Sequence, residues 1–389
     1  MMLSNPQPSI IELFTSFLRL GMTAFGGPSM VAYIRTMAVE KKRWLDAETF
    51  SNGVALSQTI PGATAMQTAA YVGLKTRGVI GALVSFIGFG LPAFLLMMML
   101  AAAYASTNNL PIVVSAFSGL QAIIVAIIAN ATLSFGRTTL KDWRSVTIAG
   151  LAAALFGLNV NPVLVILTAA LVGLALIKPR QPNSQSSVCS QPTQTNTKPL
   201  LLILSVVAVG FLLLYFFNQT LFSLAILMFR IDLFAFGGGF ASVPLMLHEI
   251  VKVRHWMDNA TFMNGIILGQ VTPGPIVITA TFIGYLLGGP LGGVIATISI
   301  FLPSFTLVVA ISPYLDRLRT SHYFNKVIGG VLCSFVGLLL NVTIRFALNV
   351  HWDLSHLLLA SGAFVGLLLK VDILWVIVIG TIASVIIFT

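Results

Sequence analysis

Charge is what this chain has least of. Only 8% of its 389 residues are charged and just 11 are acidic, whereas 57% are hydrophobic and the mean hydropathy is +0.97. No soluble fold hides that much apolar surface, so the composition specifies a polytopic integral membrane protein with the lipid bilayer as its surroundings. Cysteine is nearly absent: Cys189 lies in a polar linker and Cys333 in an apolar helix, neither with a His or Cys at ligand spacing. That excludes a disulfide framework and a metal site. Residues 1–9 lack a basic start and a small-residue cleavage site, so no cleaved leader is expected. No nucleophile, base and metal set converges in the sequence, which argues against an enzyme and calls for no cofactor. The shortage of acids leaves a formal charge of +10. Its basic residues sit in short clusters between apolar spans rather than along one face, which excludes a nucleic-acid partner and fits orientation by positive loops.

What is present is present twice. Arg19, Phe25, Trp44, Asp46, Asn52, Gln58, Pro61-Gly62, Pro92 and Asn130 are answered by Arg230, Phe236, Trp256, Asp258, Asn264, Gln270, Pro273-Gly274, Pro303 and Asn341. Phe25 to Phe236 is an offset of 211 and Gln58 to Gln270 one of 212. Duplication of a membrane unit is the usual build of a secondary transporter. The expected domains are a first repeat at 1–180, a polar linker with an extra transmembrane helix at 181–220, and a second repeat at 221–389.

Loop charge orients the copies. In the first, Lys75, Arg77, Arg137, Lys141, Arg144, Lys178 and Arg180 flank the spans, while 105–111 and 158–162 carry no Lys or Arg. In the second the pattern reverses, with Arg317, Arg319, Lys326 and Lys370 as markers. Equivalent loops therefore lie on opposite sides, and the apolar run 200–217 supplies the odd crossing that inverts the second copy. The segment 179–199 is rich in Gln, Ser, Thr, Asn and Pro and reads as a tether. The positive-inside rule puts the linker 181–198 in the cytoplasm and the C-terminus outside. The predicted fold class is an all-α polytopic membrane protein of two inverted-topology repeats joined by an extra linking helix, each repeat with Gly/Pro-broken or re-entrant helices. Plain spans are expected at 78–104, 112–135, 145–158 and 160–177, then at 293–312, 323–345, 353–369 and 371–388. Segments 10–40, 46–75, 221–251 and 258–287 either cross once as broken helices or re-enter as hairpins, and loop charge favours hairpins.

The breaks carry the chemistry. Gly26-Gly27-Pro28, Pro61-Gly62, Gly237-Gly238-Gly239 and Pro273-Gly274 have the grammar of a helix stop followed by a start. A helix that begins inside the membrane directs free N–H groups and its positive dipole end into a cavity, which is an anion site. Donors beside the breaks, Ser29, Gln58, Thr59, Thr64, Gln67, Ser242, Gln270 and Thr272, suit a tetrahedral dianion that accepts hydrogen bonds and donates none. The glycines Gly26, Gly27, Gly62, Gly237, Gly238, Gly239 and Gly274, with Phe25 and Phe236, complete the candidate substrate site. The bland alternative is that such breaks merely kink packed helices.

Arg19 and Arg230 stand six residues before the Phe markers in apolar surroundings, either as counter-charges to an anion or snorkelling to the interface. Glu40, His248 and Glu249 are candidates for proton coupling, or membrane-edge residues paired with nearby Lys. Asp46 and Asp258 each follow a Trp by two residues and read as helix N-caps, with Trp44 and Trp256 as interface anchors. Asn130 and Asn341 are buried amides, either interhelical or substrate-facing.

The runs Phe17-Leu18-Arg19-Leu20-Gly21, Ala24-Phe25-Gly26-Gly27-Pro28, Arg43-Trp44-Leu45-Asp46 and Gln58-Thr59-Ile60-Pro61-Gly62 resemble the chromate ion transporter family, as do Phe234-Ala235-Phe236-Gly237-Gly238-Gly239 and Gln270-Val271-Thr272-Pro273-Gly274-Pro275. The resemblance covers nearly the whole chain. It implies a carrier that expels chromate across a prokaryotic cell (inner) membrane, with sulfate as a competing oxyanion; protons are a candidate coupling ion and a homodimer a candidate assembly. Sulfate uptake or anion exchange is the alternative activity, and a non-transporting membrane subunit a remote one. Three departures stand out: Ala63 where Pro usually completes the first Pro-Gly-Pro, Asp232 in place of a common Gly, and a thinner charged run between Arg35 and Arg43.

Overall fold

In lipid a backbone amide has only the protein to bond with, so a chain this apolar must close its hydrogen bonds within helices. A computed structural model describes residues 7–25, 27–177, 198–314 and 321–388, with side chains undescribed at 27–29 and 199–200. Among the described residues there are fifteen α-helices and no strand. The first repeat holds α1 (Ile10–Thr23), α2 (Gly27–Arg35) running into a π-turn (Thr36–Lys41), α3 (Ala47–Thr59), α4 (Thr64–Thr107), α5 (Pro111–Thr139), α6 (Trp143–Gly157) and α7 (Pro162–Leu176). The linking helix is α8 (Lys198–Phe217). The second repeat follows the same order with α9 (Gln219–Phe234), α10 (Ser242–Met246) and its π-turn (Leu247–Val253), α11 (Asn259–Val271), α12 (Thr279–Ile311), α13 (His322–Asn349), α14 (Leu354–Leu368) and α15 (Ile373–Phe388).

The repeats agree in backbone detail even where the residues differ. Left-handed φ values recur at Arg43 (52°) and His255 (50°), Asn159 (63°) and Lys370 (65°), Gly62 (120°) and Gly274 (128°), and Gly78 (65°) and Gly289 (60°). Both copies also place a π-turn before the Trp marker.

The segments that the sequence leaves open re-enter. Lys42 Nζ lies 2.8 Å from Glu12 Oε1, so the chain leaves the first hairpin on the side where it entered. Arg254 Nη1 donates to Ser223 Oγ at 2.5 Å and closes the matching hairpin of the second repeat. α3 returns on the first arm of α4, with Gly53 flush against the Tyr71 ring, as Gly265 is against Phe282 in the second copy.

α4 is not one rod. Ser85 Oγ donates to Ala69 O at 2.8 Å, yet a straight helix would hold residues sixteen apart at about 24 Å. The chain reverses at Arg77 and Gly78, both non-helical, and folds the arm 79–107 back along 64–76. α12 reverses the same way at Gly288 and Gly289, joined by Thr281 Oγ1 and Thr297 Oγ1 at 2.7 Å. Small residues permit this closeness: a Cβ on Gly73 would strike the Gly81 carbonyl, and one on Gly284 the Gly292 carbonyl.

The repeats are interleaved. α6 and α7 lie along α13 of the other copy, with Asn341 Nδ2 donating to Ala153 O at 3.3 Å, and α14 and α15 lie along α5, with Ser384 Oγ accepting from Gly119 N at 3.0 Å. The α6–α7 pair follows α13 from Lys326, bonded to Leu174 O, to Arg345, bonded to Phe156 O. The nineteen steps from one to the other rise about 28 Å, so the α6–α7 pair reaches nearly through a ~30 Å hydrocarbon core. At the pseudo-twofold axis the equivalent residues Thr132 and Thr343 meet each other at 3.3 Å.

Helix starts at the faces are capped in matched pairs. Asp46 accepts from Thr49 N and Asp258 from Thr261 N, each at 2.7 Å. Asp142 and Asp353 do the same for α6 and α14. The bond from Thr49 N holds the Asp46 carboxyl below the usual carboxylate range, and the His356 N–H does so for Asp353.

Two outcomes follow. Gly73→Val should lower the stability of the detergent-purified protein by about 1–3 kcal/mol in thermal or denaturant unfolding, whereas Gly150→Ala and Gly362→Ala, where a Cβ meets nothing within 4 Å, should not. Because the Asp46 and Asp353 carboxyls are depressed on folding, the stability they contribute is full above the ordinary carboxylate pKa of about 4 and is lost as pH falls through their lower folded values. Asp46→Ala should remove about 1 kcal/mol at neutral pH and flatten part of that acid-side slope in melting curves.

Candidate functional site

Each repeat breaks its chain twice, and the four broken corners meet at the centre of the molecule. Gly62 N donates to Ala235 O at 2.9 Å, and Gly274 N donates to Ala24 O at 3.1 Å. These are the same bond made twice, since Gly62 answers to Gly274 and Ala24 to Ala235. Such reciprocity is the mark of a twofold interface. Positive φ at Gly62 and Gly274 turns each amide outward from its own segment toward the opposite repeat.

The sequence leads one to expect these amides to face a wet cavity. Instead they are bonded to the carbonyls of the other copy, so the corners are closed. An amide at this depth must find some acceptor, and the nearest is the carbonyl that the opposite helix leaves free where it ends.

One corner has more. Ala63 N donates to Ser304 Oγ at 2.9 Å. Ser304 in turn donates from Oγ at 2.7 Å and from its backbone N at 2.9 Å to Asp232 Oδ2. Gln67, fully buried, donates from Nε2 to Pro61 O at 2.5 Å, and Gly238 faces Thr64 Oγ1. The equivalent positions across the pseudo-axis are Pro275, Ala93 and Gly21, which offer no amide hydrogen, hydroxyl or carboxyl.

The other candidate donors bond locally. Thr59 Oγ1 donates to Leu56 O at 2.8 Å, Ser242 Oγ to Gly239 O at 2.6 Å and Thr272 Oγ1 to Gly269 O at 2.9 Å. A hydroxyl on a helix takes its own preceding carbonyl when nothing better is in reach. Gln58 is exposed and Gln270 half-buried; Phe25, Phe236, Gly237 and Gly239 are half-buried beside the corners. Gly26 lies outside the described residues. Gly27 and Ser29 belong to α2, and their side-chain surroundings lie outside the description as well.

The charged candidates lie elsewhere, in two separate places. Arg230 on α9 is ion-paired with the buried Glu249, whose other oxygen lies 3.8 Å from Arg254 Nε. A small cavity opens between Arg230, Leu245, Glu249 and the Asn161–Val163 start of α7. Buried His248 packs against Phe156, ring centroids 6.0 Å apart. Arg19 and Glu40 are exposed on the first hairpin. Asn341 is interhelical, and it accepts from Arg345 Nε at 2.8 Å. Arg345 reaches on to Phe156 O and Asn159 Oδ1 and lies over the Phe156 ring, clamping α13 to the α6–α7 turn. Asn130 is half-buried on α5.

Sequence reasoning missed Ser304, although it follows the Pro303 marker directly. It noted Asp232 as a departure from the usual Gly and as a partner for Arg230 only through backbone curvature, whereas Arg230 pairs with Glu249. It also missed the buried chain in which Gln121 Nε2 donates to Asn264 Oδ1 at 2.9 Å and Asn264 Nδ2 to Tyr104 Oη at 3.1 Å. Ser118 Oγ, 3.1 Å from His356 Nε2, was passed over too, and Asp353 holds the other ring nitrogen at 2.8 Å. No repeat signal marks His356 or Tyr104.

Comparison with known proteins agrees with the duplicated geometry. A family profile described as Chromate transporter matches residues 11–174 and again 222–385. An uncharacterized transporter of Methanocaldococcus jannaschii is 44% identical over 372 residues, 95% of this chain and 92% of the relative. A chromate transport protein of Pseudomonas aeruginosa is 28% identical over 88% of this chain and 82% of its own length. A chromate transport protein of Cupriavidus metallidurans is 28% identical over 94% and 89%. No solved structure matches. With two family segments falling on the two structural repeats and between them covering most of the chain, the protein belongs to the chromate transporter family.

Proposed function

We propose that the protein is a secondary carrier that expels chromate, a tetrahedral oxyanion, across the cell membrane, and that the anion is held where the four broken corners meet. The observation that carries this reading is the reciprocal pair of corner bonds, Gly62 N to Ala235 O and Gly274 N to Ala24 O. Parting the repeats frees these amides together, on facing surfaces, and an oxyanion is the acceptor that replaces the lost carbonyls. Closing the corners expels it. The closed corner is then the substrate-free, occluded form of the site.

In this reading Gln67, Thr64, Gly238 and the Gly237–Gly239 turn line the opened site, and Arg19 and Arg230 draw the anion toward it. Loop charge puts the linker 181–198 on the cytoplasmic side and the C-terminus outside. A dianion leaving an inside-negative cell gains about 2.3 kcal/mol per charge per 100 mV, so efflux needs little further driving force. Sulfate shares the shape and charge of chromate and is the competing cargo. The named relatives that match along most of this chain are transporters, which supports transport rather than catalysis.

Liposomes holding the protein should show saturable chromate flux that rises with imposed potential and is competed by sulfate. Flux of sulfate alone would favour the uptake or exchange reading, and no saturable flux of either would end the carrier reading. Arg19→Ala and Arg230→Ala should each weaken chromate binding about tenfold or more, the loss of roughly 1.4 kcal/mol, without blocking membrane insertion. Unchanged affinity in both would remove the counter-charge role.

A further inference from the structure

We propose that Asp232 is a proton-binding site built into one side of the central corner, its occupancy tied to whether that corner is closed. The consequence for transport rests on the carrier reading above; the site itself rests on geometry.

Asp232 has no exposed surface. Its Oδ2 accepts both Ser304 donors, while its Oδ1 is buried with no hydrogen-bond partner. Among the described residues no ion pair includes it. Arg230, two residues back, is taken by Glu249. The helices packed on α9 bring few titratable groups: Lys198 and Tyr215 on α8, Tyr285 on α12, and His248, Glu249 and Lys252 on the π-turn after α10. None of them is bonded to the Asp232 carboxyl. A carboxylate in such surroundings is expensive unless it is paired or neutralised. The closed corner therefore holds the acid form, with the proton on Oδ1 and Oδ2 left to accept from Ser304.

Packing alone does not call for this group. The first-repeat counterpart closes its corner with Gly21, Ala93 and Pro275, so neither a carboxyl nor a hydroxyl is needed to seal the joint. The carboxyl, the hydroxyl and the Ala63 amide that bonds to it occur together on one side only. This chain thus carries one proton site per molecule rather than a symmetric pair.

The step balances simply. When the repeats part, Ala63 N leaves Ser304 Oγ, water reaches Asp232, and the acid releases one proton to become a carboxylate. Reclosure takes one proton back.

Full-length protein in liposomes, studied by difference infrared spectroscopy while the bath pH is stepped, gives a readout independent of transport. The expected result is a carboxylic-acid carbonyl band that titrates in the wild type and is missing in Asp232→Asn. Chromate flux at fixed potential should vary with pH, by up to about tenfold per pH unit for a one-proton step, and Asp232→Asn should flatten that profile. A band absent from the wild type, or persisting in Asp232→Asn, overturns the proposal. If Asp232→Asn fails to fold, Ser304→Ala serves, since Ala93 shows that the fold accepts alanine there. Loss of the Ser304 hydroxyl should move the band, and an unmoved band overturns the assignment. A titrating Asp232 band in protein that carries no anion would leave the proton site standing and sink the carrier reading. Flux driven by sodium with no acid band would replace the proton site by a cation site.

Discussion

A backbone amide left without an acceptor in the middle of a bilayer is costly by several kcal/mol, and this chain interrupts its helices four times at that depth. The architecture resolves the difficulty by making each repeat the solution for the other. The amide that the second break of one copy frees is accepted by the carbonyl that the first break of the other leaves unbonded. Because the copies are inverted, the exchange happens twice with the same residues. Neither repeat satisfies its own Gly62 or Gly274 amide, and the interleaving of α6–α7 with α13 and of α14–α15 with α5 holds the two in the register that lets each do so for the other.

The same bonds give the centre its capacity to switch. A corner closed by two backbone hydrogen bonds is held by interactions worth about 0.5–1.5 kcal/mol each net, modest against the differential binding of a dianion. Tightly reversing arms lie outside it: 64–76 on 79–107, and the first arm of α12 on its second. They pack through glycine on backbone carbonyls, a contact that tolerates sliding poorly. The rigid parts are thus the folded-back arms, and the replaceable parts are the four amides and carbonyls between them. That division suits a carrier in which the central joint opens while the folded-back arms stay intact.

Symmetry is broken where chemistry has most to gain from it. Ala63, Asp232 and Ser304 differ from Pro275, Gly21 and Ala93 in the three groups that bond to one another. Two of these, Ala63 and Asp232, are also positions at which the motif resemblance leads one to expect a different residue. Single substitutions away from a family residue read as noise in one dimension. In space they are one hydrogen-bonded chain across the boundary between the repeats, spanning 241 positions between Ala63 and Ser304.

The sequence by itself determined the membrane class, the duplication, the inversion, the linking helix and the caps at Asp46 and Asp258. All of these follow from composition, offset, loop charge and local hydrogen-bonding grammar, which are properties of short stretches. It left the choice between crossing and re-entry open, because a half-helix of thirteen residues looks the same in either. The contacts of Glu12 with Lys42 and of Ala69 with Ser85 decided it. Only the tertiary structure shows that the freed amides face carbonyls of the other copy rather than open water, that Arg230 is bound to Glu249, and that Ser304 joins Ala63 to Asp232. Each of those depends on which atoms the folded chain brings together from distant positions, within a repeat or between the two, and no periodicity within either repeat encodes that distance.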